Sequence, residues 1–132
     1  MVERYLQGLI RFLVDGGLSF FDVRDAAAGL VLLEERGRTG ERTILTNREG
    51  NLSIRDFYAR VGEVTGVRRR QLQVPVAVAV AAARLAPWVV HADEVKAVAN
   101  WWFYDPAKAE RELGLAPRPI EETIAATASD YL

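Results

Sequence analysis

Residues 102–124 read Trp102-Phe103-Tyr104-Asp105-Pro106-Ala107-Lys108-Ala109-Glu110-Arg111-Glu112-Leu113-Gly114-Leu115-Ala116-Pro117-Arg118-Pro119-Ile120-Glu121-Glu122-Thr123-Ile124. The aromatic run ends at Asp105, whose carboxylate can cap a helix, and Pro106 suits the first helical turn, where its missing N–H costs nothing. Leu113-Gly114 closes that helix, because Gly accepts a left-handed backbone. Pro117-Arg118-Pro119 is a stiff connector, and Ile120, Ile124, Ala128 and Tyr131 begin a second apolar stripe at helical spacing.

Upstream, residues 11–14 and 20–23 read as short strands on either side of the turn sequence Asp15-Gly16-Gly17. Asp25 is placed to cap a helix reaching about Arg36. Its body, residues 26–33, is apolar all round, which implies burial on several sides. Residues 42–46 form a brief β-like run, and residues 47–51 are turn-prone. Ser53 caps a helix in which Ile54, Phe57, Tyr58, Val61 and Val64 recur at helical spacing, and Gly66 ends it. Residues 68–74 suggest a strand. Residues 75–86 are ambiguous, with Val-Ala alternation against alanine content and length that favour helix. A short helix over residues 93–98 completes an α/β pattern of few short strands and about five helices. One domain, residues 1–132, is expected, with a sheet too small to stand as a complete layer.

The chain has 132 residues, half of them hydrophobic, enough for a core. A formal net charge of -1 supplies no large basic field for nucleic acid or an anionic membrane. The absence of cysteine excludes disulfides and thiolate metal sites, and one histidine, His91, cannot make a multi-histidine site. The apolar stretches near residues 74–90 are interrupted by Arg84, Pro75 and Pro87 and are too short to span a bilayer. From the opening residues, Met1-Val2-Glu3-Arg4-Tyr5, no leader segment is expected. A soluble, cytoplasmic protein is expected.

The order of elements in residues 102–124 resembles the C-terminal end of the extended short-chain dehydrogenase/reductase family, which comprises NAD(P)-dependent epimerases, dehydratases and dihydroflavonol-reductase-like proteins. A second block, Phe20-Phe21-Asp22-Val23-Arg24-Asp25-Ala26-Ala27-Ala28-Gly29, resembles that family's strand-to-helix segment. Gly40-Glu41-Arg42-Thr43-Ile44-Leu45-Thr46 resembles a later strand, and Asn51-Leu52-Ser53-Ile54 the helix cap that follows it. The blocks run in the family's order from about residue 10 onward. The resemblance implies the C-terminal, substrate-binding portion of an extended Rossmann-type fold, with an incomplete Rossmann sheet and without the N-terminal dinucleotide-binding part. It implies NAD(P) for the full-length family and no cofactor held by this chain.

The glycine motif that lets a pyrophosphate approach backbone amides at a helix N-terminus does not occur in the sequence. Gly37-x-x-Gly40 follows a helix and reads as a stop. The family's catalytic pair is Tyr-x-x-x-Lys on a helix, the Lys lowering the tyrosine pKa. Tyr104 and Lys108 have that spacing, but Asp105-Pro106 starts a helix between them, so the pair is rejected. No catalytic residue is assigned.

On a strand, Phe20, Asp22 and Arg24 share one face, and in the family this strand end borders the substrate cleft. They are the candidate substrate-binding residues, against the plainer reading of a core phenylalanine beside a local ion pair. Nucleotide-sugar members commonly carry Arg two positions before the aromatic. Leu18 stands there instead and leans the resemblance toward reductase-like substrates. Asp22 and Asp25 lack the further ligands a metal needs. Arg68-Arg69-Arg70 has the donors to clamp a phosphate, though such a run reads first as a solvated strand end. Trp101-Trp102-Phe103-Tyr104 suits packing or docking ahead of stacking on a ligand. His91 has no carboxylate partner in sequence. Expected partners are a small-molecule substrate and either a second copy of the chain or a separate nucleotide-binding chain, with no nucleic acid and no membrane. A stand-alone interaction module is the alternative, its exposed apolar faces on the helix after Asp25 and on residues 74–83.

Overall fold

A computed structural model describes residues 1–86 and 91–131. Pro87, part of the interrupted apolar run, lies outside the described residues. Seven α-helices and four short strands occur among them. They are α1 (Val2–Leu6), β1 (Phe12–Leu13), β2 (Gly17–Ser19), α2 (Val23–Arg36), β3 (Asn51–Ser53), α3 (Ile54–Thr65), β4 (Leu72–Gln73), α4 (Val76–Leu85), α5 (Ala92–Val98), α6 (Ala107–Leu113) and α7 (Ile120–Ser129). The fold is mixed α/β with a fragmentary sheet, as the sequence indicates, and with more helix than the five elements expected. α1, which no motif marks, is one addition.

The strands form two separate pairs. β1 and β4 run parallel, Phe12 opposite Leu72. β2 and β3 run antiparallel, Leu18 opposite Leu52. A single parallel bridge joins Gly17 to Trp101.

The larger core fills the space between α1, α3 and α7. Tyr5, Phe57, Tyr58, Val61, Ile120, Ile124 and Ala128 are buried there. The spacing in α3 delivers this face, and both of its ends behave as the sequence indicates. The Ser53 hydroxyl accepts from the Asp56 N–H at 3.0 Å, and Gly66 closes the helix at φ 72°. A smaller cluster joins Ala109, Leu113 and Leu115 of the α6 region to Phe21, Leu32, Leu33 and Leu45. Gly114 ends α6 at φ 73°. Asp105 caps that helix through its side chain, accepting from the Ala107 N–H at 3.0 Å.

Several expectations need correction. The strand placed at residues 20–23 lies earlier, at Gly17–Ser19. Gly16 and Gly17 are not a simple turn. A Cβ on Gly16 would lie 2.0 Å from the Val98 carbonyl oxygen, and one on Gly17 would lie 2.6 Å from the rings of Trp101 and Phe103. These glycines let the chain pass close to the segment after α5 and pair with β3.

The cap of α2 is Asp22, not Asp25. Its Oδ1 accepts from the Arg24 N–H, which starts the helix three residues early. Nor is α2 buried all round: Leu30 and Val31 are 63% and 54% exposed. Residues 42–46 have no ladder partner among the described residues. Only Leu72–Gln73 of the strand suggested at residues 68–74 pairs, whereas residues 76–85 resolve as helix. Tyr131 is exposed, so the α7 stripe ends at Ala128.

Candidate functional site

The three candidate substrate residues do not lie along one strand. Phe20 follows β2 and donates its N–H to the Gly50 carbonyl at 2.8 Å. Its ring lies flat on Phe57, with centroids 3.9 Å apart and planes 8° apart. Asp22 is the helix cap, and Arg24 sits in the first turn of α2. The shared face inferred from alternation is therefore lost, and Phe20 is committed to the core. Asp22 and Arg24 still meet, through a different geometry.

The buried Asp22 carboxylate grips Arg24 with both oxygens. Oδ1 accepts from Nε at 2.9 Å and from the Arg24 backbone N–H at 2.8 Å, while Oδ2 accepts from Nη2 at 2.7 Å. This forked, charge-assisted contact holds the carboxyl well below the usual carboxylate range, and Arg24 is the chief cause. Asp22 thus stays an anion at neutral pH and cannot serve as a general acid. Arg24 keeps 46% of its side chain exposed, so one edge of its guanidinium faces solvent.

A second contact, which sequence reasoning missed, sits beside the first. The backbone N–H of Arg118 donates to Asp25 Oδ2 at 2.9 Å, and its Nε and Nη2 reach Asp25 Oδ1 at 3.0 and 2.9 Å. Arg118 Nη1 also reaches Glu122 at 3.1 Å. Asp25, buried, therefore fastens α2 to the Pro117-Arg118-Pro119 connector. No local signal pairs residues 93 positions apart; only the odd placement of a second carboxylate inside an apolar helix start hinted at a partner.

Carboxylates thus occupy the α2 N-terminus, and Ser53 with Asp56 occupies that of α3. A carboxylate there takes the amide donors that a pyrophosphate would need, and repels its charge. Among the described residues no group of three His, Asp or Glu side chains could hold a metal.

The aromatic run is a half-exposed strip. Trp101, Trp102, Phe103 and Tyr104 are between 54% and 42% exposed. Its backbone is fixed: the Trp102 N–H donates to Gly17 at 2.9 Å, and Asn51 Nδ2 donates to the Tyr104 carbonyl at 2.8 Å. Trp102 Nε1 donates to the Ala97 carbonyl at 2.8 Å. Lys108 reaches Glu41 at 2.8 Å and the Arg42 carbonyl at 2.9 Å, an arrangement that spends its charge away from any tyrosine hydroxyl. His91 precedes α5 without a side-chain capping bond.

No protein-family profile matches the chain. A protein from Synechocystis sp. named as a dihydroflavonol 4-reductase is 32% identical over 138 aligned positions, covering 95% of this chain and 40% of that protein. Among solved structures, gox2253 superposes with a TM-score of 0.77 at 26% identity, over 99% of this chain and 42% of the other. A nucleoside-diphosphate-sugar epimerase from Pseudomonas aeruginosa gives 0.76 at 28%, over 98% and 40%. RMD from Pseudomonas aeruginosa, solved with NADPH, shares the fold at 0.61 and 18% identity, over 98% and 38%. The chain is thus similar to part of proteins named as a reductase and an epimerase. It spans about 40% of the length of the relatives it matches. No helix among the described residues is long and apolar enough to cross a membrane.

Proposed function

We propose that these residues form the substrate-binding part of an NAD(P)-dependent epimerase/dehydratase or dihydroflavonol-reductase-like oxidoreductase, with the dinucleotide cradle supplied by polypeptide outside them. The observation that carries this reading is the match along nearly the whole chain to two-fifths of a reductase-named relative. The carboxylate-capped helix starts and the lack of a glycine-rich strand-to-helix turn support it. In this reading Arg24 offers its solvent edge to substrate, Asp22 positions Arg24, and Phe20 supports the turn between them. The parent protein works in the cytoplasm on a small carbonyl or sugar substrate, and this portion alone neither binds dinucleotide nor turns over.

Titration of residues 1–132 with NADH and NADPH, by fluorescence and calorimetry, tests the reading. No stoichiometric micromolar binding is expected. Stoichiometric micromolar binding would refute it.

The exposed apolar residues of α2 and the aromatic strip favour one second reading, an association module that docks a second copy or a separate nucleotide-binding chain. Light scattering at high concentration separates the two: a clean, soluble monomer counts against the module.

A further inference from the structure

We propose that the arginine-lined groove between α1, α3 and β4 is a ligand site for a small phosphate-bearing anion. None of Phe20, Asp22 or Arg24 lines it, and the inference does not depend on the coenzyme reading.

The groove is a cavity of about 490 Å³, walled on one side by α3 and on the other by residues 68–73. Arg55, Arg68 and Arg69 line it, against one carboxylate, Glu63. A neighbouring cavity of about 680 Å³ shares Arg69 and Gln71 and adds Arg11 and Arg70. These five arginines make no ion pair with a carboxylate among the described residues. Arg24, Arg38, Arg48, Arg60, Arg111 and Arg118 are each paired, and Arg4, Arg36, Arg42 and Arg84, outside the two cavities, likewise have no carboxylate partner among the described residues. In a chain of net charge -1, five of the arginines without a carboxylate partner thus line two adjoining cavities, where they reinforce one another's pull on an anion.

The wall is held in place. Tyr5 Oη donates to the Val67 carbonyl at 3.1 Å and accepts from the Arg69 N–H at 3.2 Å. One Arg69 guanidinium nitrogen donates to the Leu6 carbonyl. Gly62 permits this approach, since a Cβ there would lie 2.9 Å from the Tyr5 hydroxyl. The arginine backbone is therefore positioned before any ligand arrives, which lowers the ordering cost of binding.

Gln71 supplies the second observation. Its Nε2 is buried and has no acceptor among the described residues, and Gln71 lines both cavities. A buried amide donor left unmatched costs free energy, and turning the Gln71 amide toward an anion oxygen at the groove wall is the movement that would relieve it.

The aromatic content decides the size of the ligand. Tyr5 and Tyr58 stack on each other, both buried, and are closed to a base. Phe12 alone among the aromatics of the two cavities is exposed. Single-stranded nucleic acid uses a series of stacking rings, so a phosphate monoester or diphosphate fits better than a strand.

The test is a titration of residues 1–132 with inorganic phosphate and pyrophosphate at low ionic strength, read by calorimetry and by amide shifts. Saturable pyrophosphate binding below about 1 mM is expected, weakening as salt is added. The largest shifts should fall in residues 55–73. The double variant Arg55→Gln/Arg68→Gln should bind at least about tenfold more weakly, and Arg111→Gln should be unchanged. The wild-type shift map stands whether or not the double variant folds. No saturation by about 10 mM, shifts centred elsewhere, or an unchanged affinity in a folded double variant would overturn the proposal. So would tighter binding of an oligonucleotide than of pyrophosphate.

Discussion

Replacing Asp22 tests whether its carboxylate is a fastening before it is anything else. Asp22→Ala removes the acceptor for the Arg24 N–H at 2.8 Å, and loss of such a cap costs about 1–2 kcal/mol. The Arg24 guanidinium is half exposed, so solvent already screens most of the ion pair and its loss adds little. Asp22→Asn keeps a capping oxygen and gives up only the charge, so its deficit is smaller.

The two variants part company with pH. In the folded chain Asp22 is held below its ordinary range, so the unfolded chain binds more protons as the solution turns acid. The charge-dependent stabilisation is complete above the ordinary carboxylate pKa and fades as pH falls through that value toward the lower, folded one. The gap between wild type and Asp22→Asn should therefore narrow between about pH 6 and pH 3. Urea denaturation followed by circular dichroism at both pH values measures this. An Ala variant within about 0.3 kcal/mol of wild type would refute the cap argument. An Asn deficit that is flat or grows in acid would refute the linkage.

Two further outcomes follow from packing. Ile124→Ala, at a fully buried position of α7, should lose about 2–5 kcal/mol, read as a lower urea midpoint with an unchanged slope. Gly16→Ala would push a methyl to 2.0 Å from the Val98 carbonyl. It should cost about 1–3 kcal/mol, and an unshifted midpoint would show that β2 can move away from α5 without loss.

What the sequence revealed was mostly local. Ser53, Gly66, Asp105 and Gly114 act within one helical turn, and each stands where its chemistry indicated. The α3 stripe was legible because one face packs against a single layer. The α2 stripe misled, because its apolar residues are divided between the small cluster and solvent. Period-two spacing at Phe20, Asp22 and Arg24 imitated a strand, whereas Asp22 had already turned the chain into a helix. Residues 42–46 carry strand-like residues, but a ladder needs a neighbour, and composition does not say whether one is at hand. The Asp25–Arg118 tie, the unmatched Gln71 donor and the gathering of arginines around the groove depend on residues far apart in sequence. They emerge only from the folded chain.

The division of the core into two unequal parts has a dynamic consequence. The assembly of α1, α3 and α7 contains most of the buried apolar side chains, whereas the cluster around Leu113 has a handful and is tied across by Arg118. Amide protons should accordingly exchange with solvent in two tiers. Those of α3 and α7 would wait for global unfolding. Those of α2 and α6 would escape earlier, through an excursion that begins when the connector at Arg118 lets go of Asp25.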